Sequence, residues 1–139
     1  MPAVLHYDTY SEARKHLKEV LDAAESGRLV TVRSEHRQAA VLDAERLQYF
    51  LAHCVPSGTQ VVHEEGGWSA FIPGLPVAAD GATFDEAIEE LALALREYAE
   101  DWHQRLQHAP NHRENWGIVQ LVQLSDDDQL QNWLNGVSR

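Results

Sequence analysis

Arg14, Lys15 and Lys18 crowd into one helical stretch, Arg33 ends a strand, and Arg37 lies in the polar turn that follows it at 34–38. On a compact hairpin-plus-helix unit these five cations can converge on one edge. Long cationic side chains at such spacing contact phosphate oxygens, and an arginine can read a base edge in the major groove. The pattern therefore offers a DNA-binding edge with Arg14, Lys15, Lys18, Arg33 and Arg37 as its contacts. Glu12, Glu19 and Asp22 share the stretch, so the competing reading is a solvated helix face of mixed charge.

The carboxylates gather elsewhere: Glu64-Glu65, Asp85-Glu86, Glu89-Glu90, Glu97, Glu100-Asp101 and Asp126-Asp127-Asp128. Most fall on the outer face of a long helix, opposite its apolar stripe. They form either a solvated face or a surface for a cationic partner, whose encounter complementary charge accelerates. No carboxylates flank a nucleophile or histidine at a catalytic spacing. The expectation is a protein without catalytic residues, cofactor or metal. His103, His108 and His112 cluster, but Pro110 breaks helical register between them and no cysteines complete a structural zinc site. Cys54 adjoins His53, and neighbours on a helix do not face each other, which leaves Cys54 a packing role. Trp68 and Trp102 read as core. Trp116 and Trp133 are either core or anchors for a partner groove. With Glu89, Glu90, Glu97, Glu100 and Asp101 they make up the candidate partner-binding set.

Charge divides the chain of 139 residues in two. Through Cys54 there are 7 Lys+Arg against 8 Asp+Glu, a balance of −1; from Val55 onward there are 4 against 14, a balance of −10. All four tryptophans lie in the acidic part. A total of −11 argues against loose binding to nucleic acid, yet it leaves room for a local basic footprint, because exposed charges are screened beyond about 8 Å. Hydrophobic residues make up 44 %, enough for a packed core. No apolar run approaches the roughly 20 residues that cross a bilayer, and the first residues do not read as a secretory signal. A single cysteine fits a reducing cytoplasm, the expected location.

The elements that must position these residues can be read from periodicity. Residues 4–7 are β-prone. Ser11 reads as the N-cap of one helix carrying Ala13, Leu17, Val20, Leu21 and Ala24, with Gly27 as its stop. Residues 29–33 and 39–42 pair as a hairpin, and Asp43 caps a short helix carrying Leu47, Phe50 and Leu51. Pro56-Ser57-Gly58-Thr59 is the expected domain boundary, giving domains 1–54 and 60–139. Beyond it, residues 60–65 and 68–72 form strands around Gly66-Gly67, and 77–79 adds a short one. Thr83 and Glu86 then make a capping box for the longest helix, whose stripe Phe84, Ile88, Leu91, Leu95, Tyr98 and Trp102 steps by four and three. That helix should fade near His108. Residues 116–124 read as a late strand, and Ser125 with Asp128 as the capping box of a last helix ending at Asn135-Gly136.

The order SEAR, leucine helix, VTVR, polar turn, AAVL and short helix resembles the Phd/YefM antitoxin family over about the first 53 residues. The resemblance implies an N-terminal β-α-β-β-α unit that forms a homodimer and binds operator DNA, with Arg14 and Arg33 at the family's contact positions. The turn at 34–38 departs from the shorter Asn-Gly type common in that family. The segment GWSAFIPGLPVAADGATFDEAIEELALALREYAED looks like the HicB antitoxin fold, a partial RNase H-like β-β-α domain without catalytic acids. Together these imply an α+β, two-domain antitoxin and autorepressor of a type II toxin–antitoxin system. Its partner would be a small basic RNase toxin, of the RelE type first and the HicA type second. A stand-alone transcriptional regulator, whose acidic domain oligomerises or binds an effector, is the distinct alternative. An RNase H-like hydrolase lacks its carboxylate set.

Overall fold

The computed structural model describes residues 4–136, an α+β arrangement with two three-stranded sheets. The chain divides into two compact units between Leu47 and Gln48.

The first unit begins with β1 (Val4–Tyr7), which runs parallel to β2 (Leu29–Ser34); β2 in turn pairs antiparallel with β3 (Arg37–Val41). Between β1 and β2 lie α1 (Tyr10–Lys15) and α2 (Leu17–Glu25). Alternation along each strand aims Leu5, Tyr7, Val30 and Val41 at one face, where they meet Val20 and Ala23 of α2. The helix starts earlier than the sequence suggests. Thr9 is the N-cap, its hydroxyl accepting the Glu12 N–H at 3.2 Å, because its extended backbone lets Tyr10 open the first turn. The single expected helix is also two. At His16 the backbone leaves helical geometry (φ −114°, ψ 30°) and its N–H is shared between the Glu12 and Ala13 carbonyls. α1 buries nothing, whereas α2 buries Val20, Ala23 and Ala24, so packing demands regular geometry only of α2. The α2 C-terminus is a Schellman closure: Arg28 N–H reaches Ala23 O and Gly27 N–H reaches Ala24 O, with Gly27 at φ 88°.

The hairpin turn is tighter than the polar run implies. Ser34 pairs with Arg37 and Arg33 with Gln38, leaving only Glu35 and His36 in the loop, with Glu35 at φ 57°. Polar side chains do not end pairing at a hairpin tip exposed on both faces. α3 (Ala44–Cys54) follows, the Asp43 carboxylate accepting the Arg46 N–H at 3.1 Å. The division between units falls inside this helix.

In the second unit β4 (Gln60–Glu64), β5 (Gly67–Phe71) and β6 (Ala78–Gly81) form an antiparallel meander. α4 (Phe84–Asp101) packs on β5 and β6. Thr83 caps it, accepting the Glu86 N–H at 3.1 Å. Ile88, Leu91, Leu95, Tyr98 and Trp102 are buried, so the stripe read from the sequence is the core-facing side; Phe84 lies at its exposed end, edge-on to Trp68. A Cβ at Gly81 would run into the backbone of Glu86 and Ala87, so β6 and the first turn of α4 approach closely only through a glycine. The helix changes to a π turn over Trp102–Leu106, ahead of Pro110.

The expected late strand is instead a helix, α5 (Trp116–Leu124). Its β-branched residues suggest a strand, but burial of Val119, Leu121 and Val122 beside α4 favours helical spacing, and tertiary packing overrides β propensity. The last capping box is also displaced by one residue. Asp126 accepts the Gln129 N–H at 2.8 Å while Gln129 Oε1 accepts the Asp126 N–H at 2.9 Å, opening α6 (Asp127–Leu134). Ser125 is buried instead, its hydroxyl donating to Leu121 O at 2.6 Å and accepting from Gln48 Nε2 at 3.2 Å.

Candidate nucleic-acid and partner surfaces

The five predicted DNA contacts are all exposed and belong to the first unit. Arg14 and Lys15 sit on α1, and Lys15 Nζ lies 3.5 Å from Glu12. Lys18 on α2 donates to Asp22 at 2.8 Å, a bond that holds its ammonium above the ordinary lysine range. Among the described residues Arg14, Arg33 and Arg37 make no ion pair. Register places Arg33 opposite Gln38 and Arg37 opposite Ser34, so the two arginines occupy opposite faces of the hairpin. Arg46, which sequence reasoning left unassigned, donates to the Glu25 carbonyl at the end of α2. Its placement depends on chain closure between distant segments, which no local pattern encodes.

The same unit leaves much apolar surface in water. Leu17 and Leu21 on α2 are 54 % and 56 % exposed, and Val4, Tyr10, Leu29 and Leu42 are exposed as well. Val4, Leu29 and Ala40 share the sheet face opposite α2. A unit this short has little core of its own, and these side chains leave apolar surface on both α2 and the opposite sheet face.

In the second unit the outer face of α4 is acidic. Glu86, Glu89, Glu90, Glu97 and Glu100 are exposed, with Asp101 half-buried. Asp101 is paired with Arg105 at 3.0 Å; Glu89, Glu90, Glu97 and Glu100 have no ion pair among the described residues. Like charges one turn apart cost a helix roughly 0.2–0.5 kcal/mol per pair. The only cation of α4, Arg96, is turned away from them. It donates to Val122 O and Ser125 O at 3.0 Å each and lies 2.9 Å from Asp127. Alongside runs a groove of about 480 Å³ between α4 and α5, lined by Leu93, Arg96, Glu97, Glu100, Val122 and Gln123. A second, shallower hollow of about 380 Å³ lies at the β4–β5 turn among Glu64, Glu65, Trp68 and Asp80.

The tryptophans separate cleanly. Trp102 is core, its Nε1–H donating to His112 O at 2.8 Å. Trp68 is half-buried, stacked on His63. Trp133 is 3 % exposed and donates to Val55 O at 2.6 Å, so it stays within its own unit. Trp116 is 52 % exposed at the start of α5. Of the clustered histidines, His103 bonds to Gln123 and His112 to Tyr98. Among the described residues no three potential metal ligands come together. His53 is held by Tyr49, through its carbonyl at 2.8 Å and a ring contact at 3.9 Å, while Cys54 is exposed.

The first unit thus carries exposed cations and exposed apolar side chains, and the second an acidic helix face. A family profile described as PHD_like, "Antitoxin of toxin-antitoxin, RelE / RelB, TA system", matches residues 4–136, and the chain belongs to that family of antitoxins. It is thus a non-enzymatic regulatory protein with a toxin for a partner. A crystal structure from Syntrophomonas wolfei subsp. wolfei, described as an antitoxin part of a toxin/antitoxin system, has the same fold: TM-score 0.79 at 20 % identity, covering 96 % of each chain. No curated protein matches the sequence. No helix among the described residues is long and apolar enough to cross a membrane.

Proposed function

We propose that this antitoxin neutralises a small basic RNase toxin by direct contact with its acidic unit and represses its own operon by binding operator DNA as a homodimer. The observation that carries the reading is the separation of charge: among the described residues, Arg14, Arg33 and Arg37 on the first unit and Glu89, Glu90, Glu97 and Glu100 on the second make no ion pair. Phosphate contact needs cations not already held by carboxylates, which favours Arg14, Arg33 and Arg37 over Lys15 and Lys18. The exposed leucines of α2 and the open sheet face supply the apolar surface that a homodimer would bury. For the toxin, Glu89, Glu90, Glu97, Glu100 and Asp101 form the complementary face, with Trp116 exposed at the start of α5; Trp133 is a core residue bonded to Val55 O. The location that goes with this activity is the cytoplasm.

The architecture we assign is a Phd/YefM-like domain over 1–54 and a HicB-like, partial RNase H-like domain over 60–139. The family description names RelE and RelB, which supports a RelE-type toxin. The three-stranded meander followed by a long helix is the feature that favours a HicA-type toxin instead. The test is expression of the adjacent reading frame alone and together with this chain. Growth arrest relieved by co-expression is expected, and an adjacent frame that is harmless on its own contradicts the reading.

A further inference from the structure

Leu93 interrupts the acidic face of α4 at its centre. Glu86, Glu90, Leu93, Glu97 and Glu100 follow one another at alternating helical spacings of four and three, so they form one row with the leucine in the middle. The leucine is 56 % exposed and lines the α4–α5 groove, beside Ala99 and Val122, which are themselves buried. An isolated exposed leucine is ordinary surface. This one is ringed by carboxylates that have no counter-ion among the described residues, while Arg96 caps α5 instead of neutralising them. An apolar centre with a charged rim is the anatomy of a protein interface.

We infer that the α4–α5 groove is where the toxin anchors, and that it takes a cationic amphipathic helix. One apolar side chain of that helix packs against Leu93. Lysines or arginines one turn to either side meet Glu89 and Glu90 at one end and Glu97 and Glu100 at the other. A helix laid along α4 repeats at the same pitch of about 5.4 Å, so its cations fall in register with the carboxylates. The inference rests on the reading that the acidic unit binds the toxin; it adds the place and the kind of segment bound.

The probe is the basic product of the adjacent reading frame, co-purified with the full-length chain. Leu93→Glu adds a carboxylate to an already acidic face. A purely electrostatic surface would bind a cationic partner more tightly for it, whereas an apolar anchor loses at least about tenfold in affinity. Leu93→Met should bind like the parent. A photo-crosslinking residue at position 93 should capture the toxin, and one at Val62, exposed on β4, should not. A complex unaffected or tightened by Leu93→Glu, or captured only from position 62, overturns the groove while leaving toxin binding intact. No complex at all overturns both.

Discussion

The Arg96 guanidinium lies 2.9 Å from the Asp127 carboxylate, and the same group donates to the carbonyls of Val122 and Ser125. One side chain on α4 thereby closes the C-terminus of α5 and meets the first residue of α6. Arg96→Ala leaves those carbonyls without this donor and should cost about 1–3 kcal/mol in urea unfolding. Arg96→Lys should recover only part, since a single ammonium lacks the planar fork whose two nitrogens reach Val122 O on one side and Ser125 O with Asp127 on the other. A loss below about 0.5 kcal/mol would show that the closure contributes little.

Gln48 and Ser125 form a buried polar pair, with the serine also bonded to Leu121 O. Removing one partner strands the other, so Ser125→Ala should cost about 1–3 kcal/mol. In a double-mutant cycle with Gln48→Leu the two losses should overlap by about 0.5–3 kcal/mol. Strict additivity would mean that the pair is not coupled.

The two late tryptophans should behave oppositely. Trp133→Phe deletes the bond to Val55 O and should lower stability by about 1–3 kcal/mol. Trp116→Ala, at an exposed site, should change stability by no more than about 0.5 kcal/mol, yet weaken the toxin complex. Thermal melts and binding measured on the same two variants distinguish them; equal destabilisation would place Trp116 in the core.

On operator DNA, Arg14→Ala should weaken binding and reduce the slope of log affinity against log salt by about 1. Lys18→Ala should do less, because Asp22 already holds its ammonium. Equal losses from the two variants would argue against the ion-pair criterion, and unchanged affinity for Arg14→Ala would remove it from the footprint.

Much of this was legible in the sequence because the signals were local. The Thr83 cap, the stripe from Ile88 to Trp102, the glycine stop at Gly27 and the hairpin each follow from a few adjacent residues. The errors lie where tertiary context decides. Residues 116–124 carry β-branched side chains, yet they pack beside α4 as a helix that buries Val119, Leu121 and Val122. Ser125 looks like a cap, but Gln48 draws it into the core and passes the capping role to Asp126. The break at His16 lies where packing ceases to constrain the first turn. Of the candidate surfaces, the acidic row and the leucine at its centre follow from spacing, but the exposure of Leu93 does not. Arg96 had to be seen bonded to Val122 O and Ser125 O before the row counted as uncompensated.

The most direct test of toxin neutralisation by the acidic unit is a calorimetric titration of the purified chain with the basic product of the adjacent frame, repeated across salt concentrations. The expected result is a stoichiometric complex whose affinity falls as salt rises, with a shallower salt dependence for the double variant Glu97→Gln, Glu100→Gln. The absence of any complex at low salt, or one whose affinity neither salt nor those two substitutions alter, would contradict it.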